Sequence, residues 1–273
     1  MNKYLQLFRT GNAIMGIVGV TVACFMAAGT DLLDHWQNLL LSAVIVFSFI
    51  AGGNSLNDYI DAEIDKTAHP ERPVPSGRLS PKQARDIGLF MLALSVMVSL
   101  FTFDVICVLI VIIAVALMVS YEMFLKQRGF IGNVTIAVMT GMLFLLGGAI
   151  VGNAQGNLIV ALMAMTVSIG REISKDIEDK DSDAGDRFTL PMRIGDRNAA
   201  IIASLCYVVG PVLSVLPIIW GTYSVLYYAV ILADVVFLYC AFVVFSDPHK
   251  AQRFAKKAMM LGLLSFILGV IPI

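Results

Sequence analysis

The stretch Leu39-Leu40-Leu41-Ser42-Ala43-Val44-Ile45-Val46-Phe47-Ser48-Phe49-Ile50-Ala51-Gly52-Gly53-Asn54-Ser55-Leu56-Asn57-Asp58-Tyr59-Ile60-Asp61-Ala62-Glu63-Ile64-Asp65 runs from an uncharged apolar segment straight into a set of acids. Its first part is long and apolar enough to cross a bilayer as a helix. At about 100° per residue, Asn54, Asn57, Asp58, Asp61 and Asp65 share an arc of about 100° on one helical face. The chain therefore reads as a membrane helix that ends in an acidic stripe.

The rest of the sequence agrees. Hydrophobic residues make up 58% of the 273 and charged residues 14%, far from the balance of a soluble domain. Nine spans can be laid out, at roughly 12–30, 38–58, 84–103, 105–124, 131–151, 157–175, 197–217, 223–245 and 255–272. The expected fold is an all-α integral membrane protein, nine transmembrane helices in a bundle around an apolar cavity, forming one domain over 1–273. With the N-terminus in the cytoplasm, all 19 Lys and Arg fall at one face, as expected of cytoplasmic helix ends. The loops at the other face, Asp31 to Gln37, Thr102 to Asp104, Gly152 to Gly156 and Gly221 to Tyr223, carry none. This predicts a multi-pass protein of the cell membrane with its polar site facing the cytoplasm. Lys3 and Arg9 precede the first apolar run, but no A-x-A cleavage pattern follows, so the run is a first helix rather than a signal peptide. A net charge of −1 gives no reason to expect a nucleic-acid partner.

A second acidic stripe closes the sixth span: Glu172, Asp176, Asp179 and Asp183 fall within about 60° of arc. One juxtamembrane acid would merely solvate a helix end. Two aligned stripes repel themselves at i,i+4 spacing and call for cations. Oxygen ligands without a His or Cys cluster favour Mg²⁺, which keeps water and phosphate oxygens among its ligands. Two stripes suggest two ions bridged by a diphosphate. Each stripe precedes a loop rich in Arg and Pro, Glu71 to Ser80 and Asp186 to Arg193, and arginine's planar fork suits phosphate. The parallel layout hints at an internal four-helix repeat that brings the stripes face to face.

At these residues the sequence resembles the UbiA-type family of intramembrane prenyltransferases. Its N-D-x-x-D-x-x-x-D signature matches Asn57, Asp58, Asp61 and Asp65, and its second D-x-x-x-D segment fits Asp179 and Asp183, preceded by Asp176. An R-P-x-P-S-G segment matches Arg72 to Gly77, Tyr121, Lys126, Gly132 and Asn133 fit a Y…LK…GN segment, and Arg9 with Asn12 fits an R-x-x-N opening. Within the family, the segment from Arg171 to Asp179, followed by Thr189-Leu190-Pro191, is most similar to the archaeal branch that builds ether lipids.

The resemblance implies that Asn57, Asp61, Asp65, Asp176, Asp179 and Asp183 hold Mg²⁺, with Asp58 also in the catalytic set. It implies that Arg9, Asn12, Arg72, Arg78, Tyr121, Lys126, Asn133 and Lys175 contact substrate. For the ether-lipid branch, the donor is geranylgeranyl diphosphate and the acceptor the glycerol hydroxyl of geranylgeranylglyceryl phosphate. The acceptor's phosphate asks for a further basic contact, with Arg9 and the arginines of the second loop as candidates.

An aromatic acceptor is the rival within the family, because the shared motifs report the donor diphosphate. A secondary transporter is the rival outside it, and would expect ionisable groups near the midplane; here only Asp234 stands there. Glu63, Glu178 and Asp181 are expected to be bystanders. The four cysteines lie in apolar stretches without C-x-x-C spacing and read as buried free thiols. His35, His69 and His249 sit in separate loops and suggest no metal site.

Overall fold

The computed structural model describes residues 2–180 and 188–272. Asp181, Ser182, Asp183, Asp186 and Arg187 lie outside the described residues. Within them the chain is helical and contains no strand. The helices are α1 (Lys3–Leu7), α2 (Thr10–Ala28), α3 (Trp36–Ile60), α4 (Asp65–Ala68), α5 (Pro81–Ser99), α6 (Val105–Ser120), α7 (Phe130–Ile150), α8 (Leu158–Glu178), α9 (Leu190–Ile194), α10 (Asp196–Trp220), α11 (Val230–Val243) and α12 (Pro248–Val270).

Local chemistry explains where these elements begin. Ser80 and Gln83 form a reciprocal capping box with Pro81 in the first turn, which starts α5. Asp104 accepts a bond from the Cys107 N–H at 2.7 Å and starts α6. Asp247 accepts from the Lys250 N–H at 2.8 Å, followed by Pro248, so α12 begins seven residues before the span expected at 255.

Seven helical segments among the described residues are long and apolar enough to cross a membrane. The chain is a multi-pass membrane protein. The first segment, Thr10–Ile60, contains both α2 and α3, joined by the 3₁₀ stretch Gly29–His35. The expected ninth span, α12, falls outside this set; its first half carries Lys250, Arg253, Lys256 and Lys257.

The packing order is repeated along the chain. α2 packs on α3, α3 on α5 and α5 on α6; in the same sequence α7 packs on α8, α8 on α10 and α10 on α11. α2 and α7, the first helices of these two sets, pack on each other and join the halves, while α12 lies against α11 and α8. The α2–α7 crossing is close because Gly147 faces Ala23: an added Cβ would stand 2.9 Å from the Ala23 carbonyl carbon and the Cys24 nitrogen. Small residues at such crossings matter in lipid, where helices gain little from hydrophobic burial and associate through close packing.

All four cysteines are unpaired; Cys24, Cys107 and Cys240 are buried and Cys206 partly so. Asp234 accepts a 2.7 Å bond from the Ser214 hydroxyl, and the Tyr227 hydroxyl donates to the Ser214 carbonyl at 3.0 Å. The acid of α11 thus belongs to a polar clasp with α10, in keeping with a structural role.

Candidate functional site: two acidic helix ends joined by the α6–α7 connection

Both acidic segments end their helices in the same way. α3 stops at Ile60 with Asp61 as C-cap (φ −86, ψ 9), and α8 stops at Glu178 with Asp179 as C-cap (φ −86, ψ 3). Each Asp N–H bonds the carbonyl four residues back, Asn57 at 2.9 Å and Lys175 at 2.8 Å. The helix C-terminus carries the negative end of the macrodipole, so an acid there is unfavourable without a cation. The expected stripe is not one uninterrupted helix, since residues 61–64 form a turn before α4. Asp65 N–H still bonds the Asp61 carbonyl at 2.8 Å, and this keeps the i,i+4 spacing of Asn57, Asp61 and Asp65.

Within the described residues, protein cations and amides engage the acids of the first stripe. Arg9 donates from one nitrogen to the Asn57 Oδ1 and to an Asp58 oxygen, both at 2.8 Å. Asp58 is 1% exposed, and its side chain is turned to that guanidinium. Arg9 sits at the break between α1 and α2 with φ +46, a left-handed conformation that costs a non-glycine residue about 1–3 kcal/mol. The tie to Asn57 and Asp58 holds it there. Lys126 pairs with Asp61, and Arg72 with the buried Asp65 at 2.6 Å.

Lys126 reaches Asp61 because of the turn before it. Tyr121–Leu125 is a π-helical turn, closed by the Lys126 N–H on the Tyr121 carbonyl at 2.9 Å. Such one-turn irregularities are frequent at functional sites. The same turn delivers Glu122, a residue that sequence reasoning missed. Glu122 is 8% exposed, accepts a 3.1 Å bond from the Asn57 amide and lies 3.7 Å from Lys126. Its i,i+4 spacing to Lys126 was the available signal, hidden by the assumption of an ordinary helix.

The connection then turns to the second helix end. Gly129 has φ +61, and a Cβ there would stand 3.0 Å from Thr189 Cα, so glycine permits the chain to pass beside 188–189. Gly129→Ala should lower the melting temperature of the purified protein by several degrees, reflecting about 1–2 kcal/mol of strain; an unchanged melt would count against this contact. Four residues on, Asn133 donates to Asp176 at 2.6 Å. The segment 121–133 thus touches both acidic ends.

The other expected site residues in the described part of the chain are placed as follows. Arg78 is exposed and bonds Gln6 at 2.7 Å and Ser76 at 2.9 Å, fastening α1 to the loop after α4. Lys175 is exposed on α8. Asn12 is exposed and shares a polar recess of about 400 Å³ with Arg9, Asp58 and Arg72. Glu178 pairs with His249 and so ties α8 to α12; Glu63 pairs with Lys66. Asp183 lies outside the described residues. Within them, no three His, Cys, Asp or Glu side chains form a metal-holding group on their own.

Two apolar cavities flank α7 and share Thr140 and Leu143. One, of about 280 Å³, lies among α2, α3, α6 and α7 and is lined by residues such as Ile50, Val111 and Met118. The other, of about 500 Å³, lies among α7, α8, α11 and α12; its lining includes Met163, Phe237 and Phe266, with Arg171 and Lys256 as its charged members.

The model of the UbiA prenyltransferase family matches residues 17–267. The chain belongs to this family. Two relatives, both digeranylgeranylglyceryl phosphate synthases, match end to end. That of Methanosphaera stadtmanae is 32% identical over 280 residues, covering 99% of this chain and 100% of the relative. That of Thermococcus kodakarensis is 35% identical over 273 residues, covering 97% of each. Among solved structures, one of a digeranylgeranylglyceryl phosphate synthase in membranes superposes with a TM-score of 0.91 at 30% identity, over 98% of both chains. A UbiA homologue from Archaeoglobus fulgidus, solved with DMAPP and Mg²⁺, shares the fold at a TM-score of 0.68 and 15% identity, over 99% of this chain and 100% of the homologue.

Proposed function

We propose that this UbiA-family protein transfers a geranylgeranyl group from geranylgeranyl diphosphate to the glycerol hydroxyl of geranylgeranylglyceryl phosphate, a step of archaeal ether-lipid synthesis. The observation that carries this reading is the end-to-end likeness to synthases of that name at 32% and 35% identity. Two apolar cavities meeting along α7 suit a reaction that joins two lipid tails.

The donor set of the two helix ends fits Mg²⁺: the Asn57 amide oxygen and the carboxylates of Asp61 and Asp65 on one side, Asp176, Asp179 and Asp183 on the other, all hard oxygen ligands. Two ions, one per helix end, match the paired design. Mg²⁺, when bound, neutralises the diphosphate and stabilises it as a leaving group. Lys126 and Arg72 then exchange their carboxylate partners for diphosphate oxygens, and Asp58 keeps Arg9 in place. The donor C1–O bond breaks with its electron pair going to diphosphate, the glycerol oxygen attacks C1, and the hydroxyl proton passes to the released diphosphate. The apolar cavity walls keep water from the allylic cation.

The whole chain acts as one membrane unit with nine crossings, the 3₁₀ link dividing the first segment and α12 supplying the ninth. With the N-terminus in the cytoplasm, both acidic ends face that side, an orientation supported by the one-sided distribution of Lys and Arg.

Two measurements test this reading. Purified protein given geranylgeranyl diphosphate should prenylate geranylgeranylglyceryl phosphate and not an aromatic acid acceptor; turnover of the aromatic acceptor alone would overturn it. Ala164 lines the larger cavity. Ala164→Phe should reduce use of 20-carbon substrates at least about tenfold relative to 10-carbon analogues, since each excluded methylene forfeits about 0.8 kcal/mol of burial.

A further inference from the structure

We propose that Glu122 is a positioning residue of the acidic site, whose carboxylate fixes the side-chain amide of Asn57 so that Oδ1 faces Arg9 and keeps its second lone pair for a cation. The inference rests on the reading of Asn57 as a metal-holding residue and extends it to a side chain that is not one of the matched motif residues.

A side-chain amide has two ends of nearly equal shape, and only its partners decide which end points where. Here the partners decide it fully. Asn57 Nδ2 donates to Asp61 Oδ2 at 3.0 Å and to Glu122 Oε2 at 3.1 Å, while Oδ1 accepts from Arg9 at 2.8 Å. A flipped amide would aim its oxygen at two carboxylates and its N–H groups at a guanidinium. Oδ1 has two lone pairs, and Arg9 uses one. The other remains for a cation.

Asp61 cannot supply this orientation alone, because it is itself one of the groups proposed to take the cation. Glu122 is the second anchor. It is 8% exposed inside the segment Val105–Leu125, where an unpaired carboxylate would be costly. It is placed between Asn57 and Lys126, 3.7 Å from the ammonium, by the π turn that begins at Tyr121. Outer partners that orient a ligand typically change metal affinity by 10–100-fold when removed.

The test is calorimetric titration of Mg²⁺ into the detergent-solubilised full-length protein holding geranylgeranyl thiolodiphosphate, a donor analogue that does not turn over. Glu122→Ala should weaken Mg²⁺ binding about tenfold, whereas Glu122→Gln, which keeps an acceptor oxygen, should stay within about threefold of wild type. Asn57→Ala should also weaken binding, and the Asn57→Ala/Glu122→Ala double variant should be no weaker than Asn57→Ala, as expected when one residue acts through the other. Glu122→Met, of similar length, replaces Glu122→Ala should the latter not fold. Unchanged affinity in the Ala and Met variants, a Gln variant as weak as Ala, or additive losses in the double variant would each overturn the proposal. If Asn57→Ala itself binds Mg²⁺ as wild type does, the metal reading of Asn57 falls first and this inference with it.

Discussion

Asp61→Ala is expected to lower Mg²⁺-dependent prenyl transfer about 10³-fold or more, close to 4 kcal/mol of barrier, while the bundle stays folded. Asp61 is the C-cap of α3, its amide already bonds the Asn57 carbonyl, and its side chain is 19% exposed. Loss of the carboxylate therefore leaves no buried cavity. Lys126 keeps Glu122 at 3.7 Å as a counter-ion. The loss would fall on catalysis: Asp61 is the acid that receives both the Asn57 amide and the Lys126 ammonium. Asp179→Ala, at the matching cap of α8, should behave alike. A transfer assay at saturating Mg²⁺, read beside a melting curve in detergent, checks both halves of the expectation. If both variants retained Mg²⁺-dependent transfer, the prenyl-transfer reading of the acidic ends would be untenable.

Gly147→Leu is expected to have the largest effect on the fold. The leucine Cβ would stand 2.9 Å from main-chain atoms of Ala23 and Cys24, so no rotamer change relieves the clash and α2 must move from α7. These helices join the two halves of the bundle. Overpacking of this kind costs about 3 kcal/mol or more, and in lipid the lost close contact is the main source of helix association. The control is Gly262→Ala, where the added Cβ meets Ala233 Cβ at 3.8 Å, an ordinary contact. Melting in detergent should separate them, with Gly147→Leu lower by about 10 °C and Gly262→Ala near wild type. Equal melting temperatures would mean that the α2–α7 crossing is not what holds the halves together.

Much of this arrangement is legible in the sequence because helix period and hydropathy are local signals. Asn57, Asp61 and Asp65 keep their shared face even though the helix breaks at 61–64, since the i,i+4 backbone bonds survive the break. The basic first half of α12 blurs its hydropathy, and the strength of the Asp247–Pro248 start had to be seen in the structure. Other features were not legible. Arg9 meets Asn57 and Asp58 across 48 and 49 residues of chain, from a backbone conformation that no arginine would be expected to hold. Arg78, expected to contact substrate, also bonds Gln6 of α1 across 72 residues of chain, a tie with no local signal. Glu122 escaped because a π turn breaks the 3.6-residue period on which facing was judged.

That turn also bears on how such a site can change over generations. Five residues at π spacing turn the chain by nearly as much as four at α spacing, so deletion of one residue within Tyr121–Leu125 would relax the bulge into ordinary helix and leave the chain beyond it close to its present orientation. What such a deletion would forfeit is the placement of Glu122 between Asn57 and Lys126. A single codon gained or lost here can thus add or remove that acid's role while the two acidic ends keep their places.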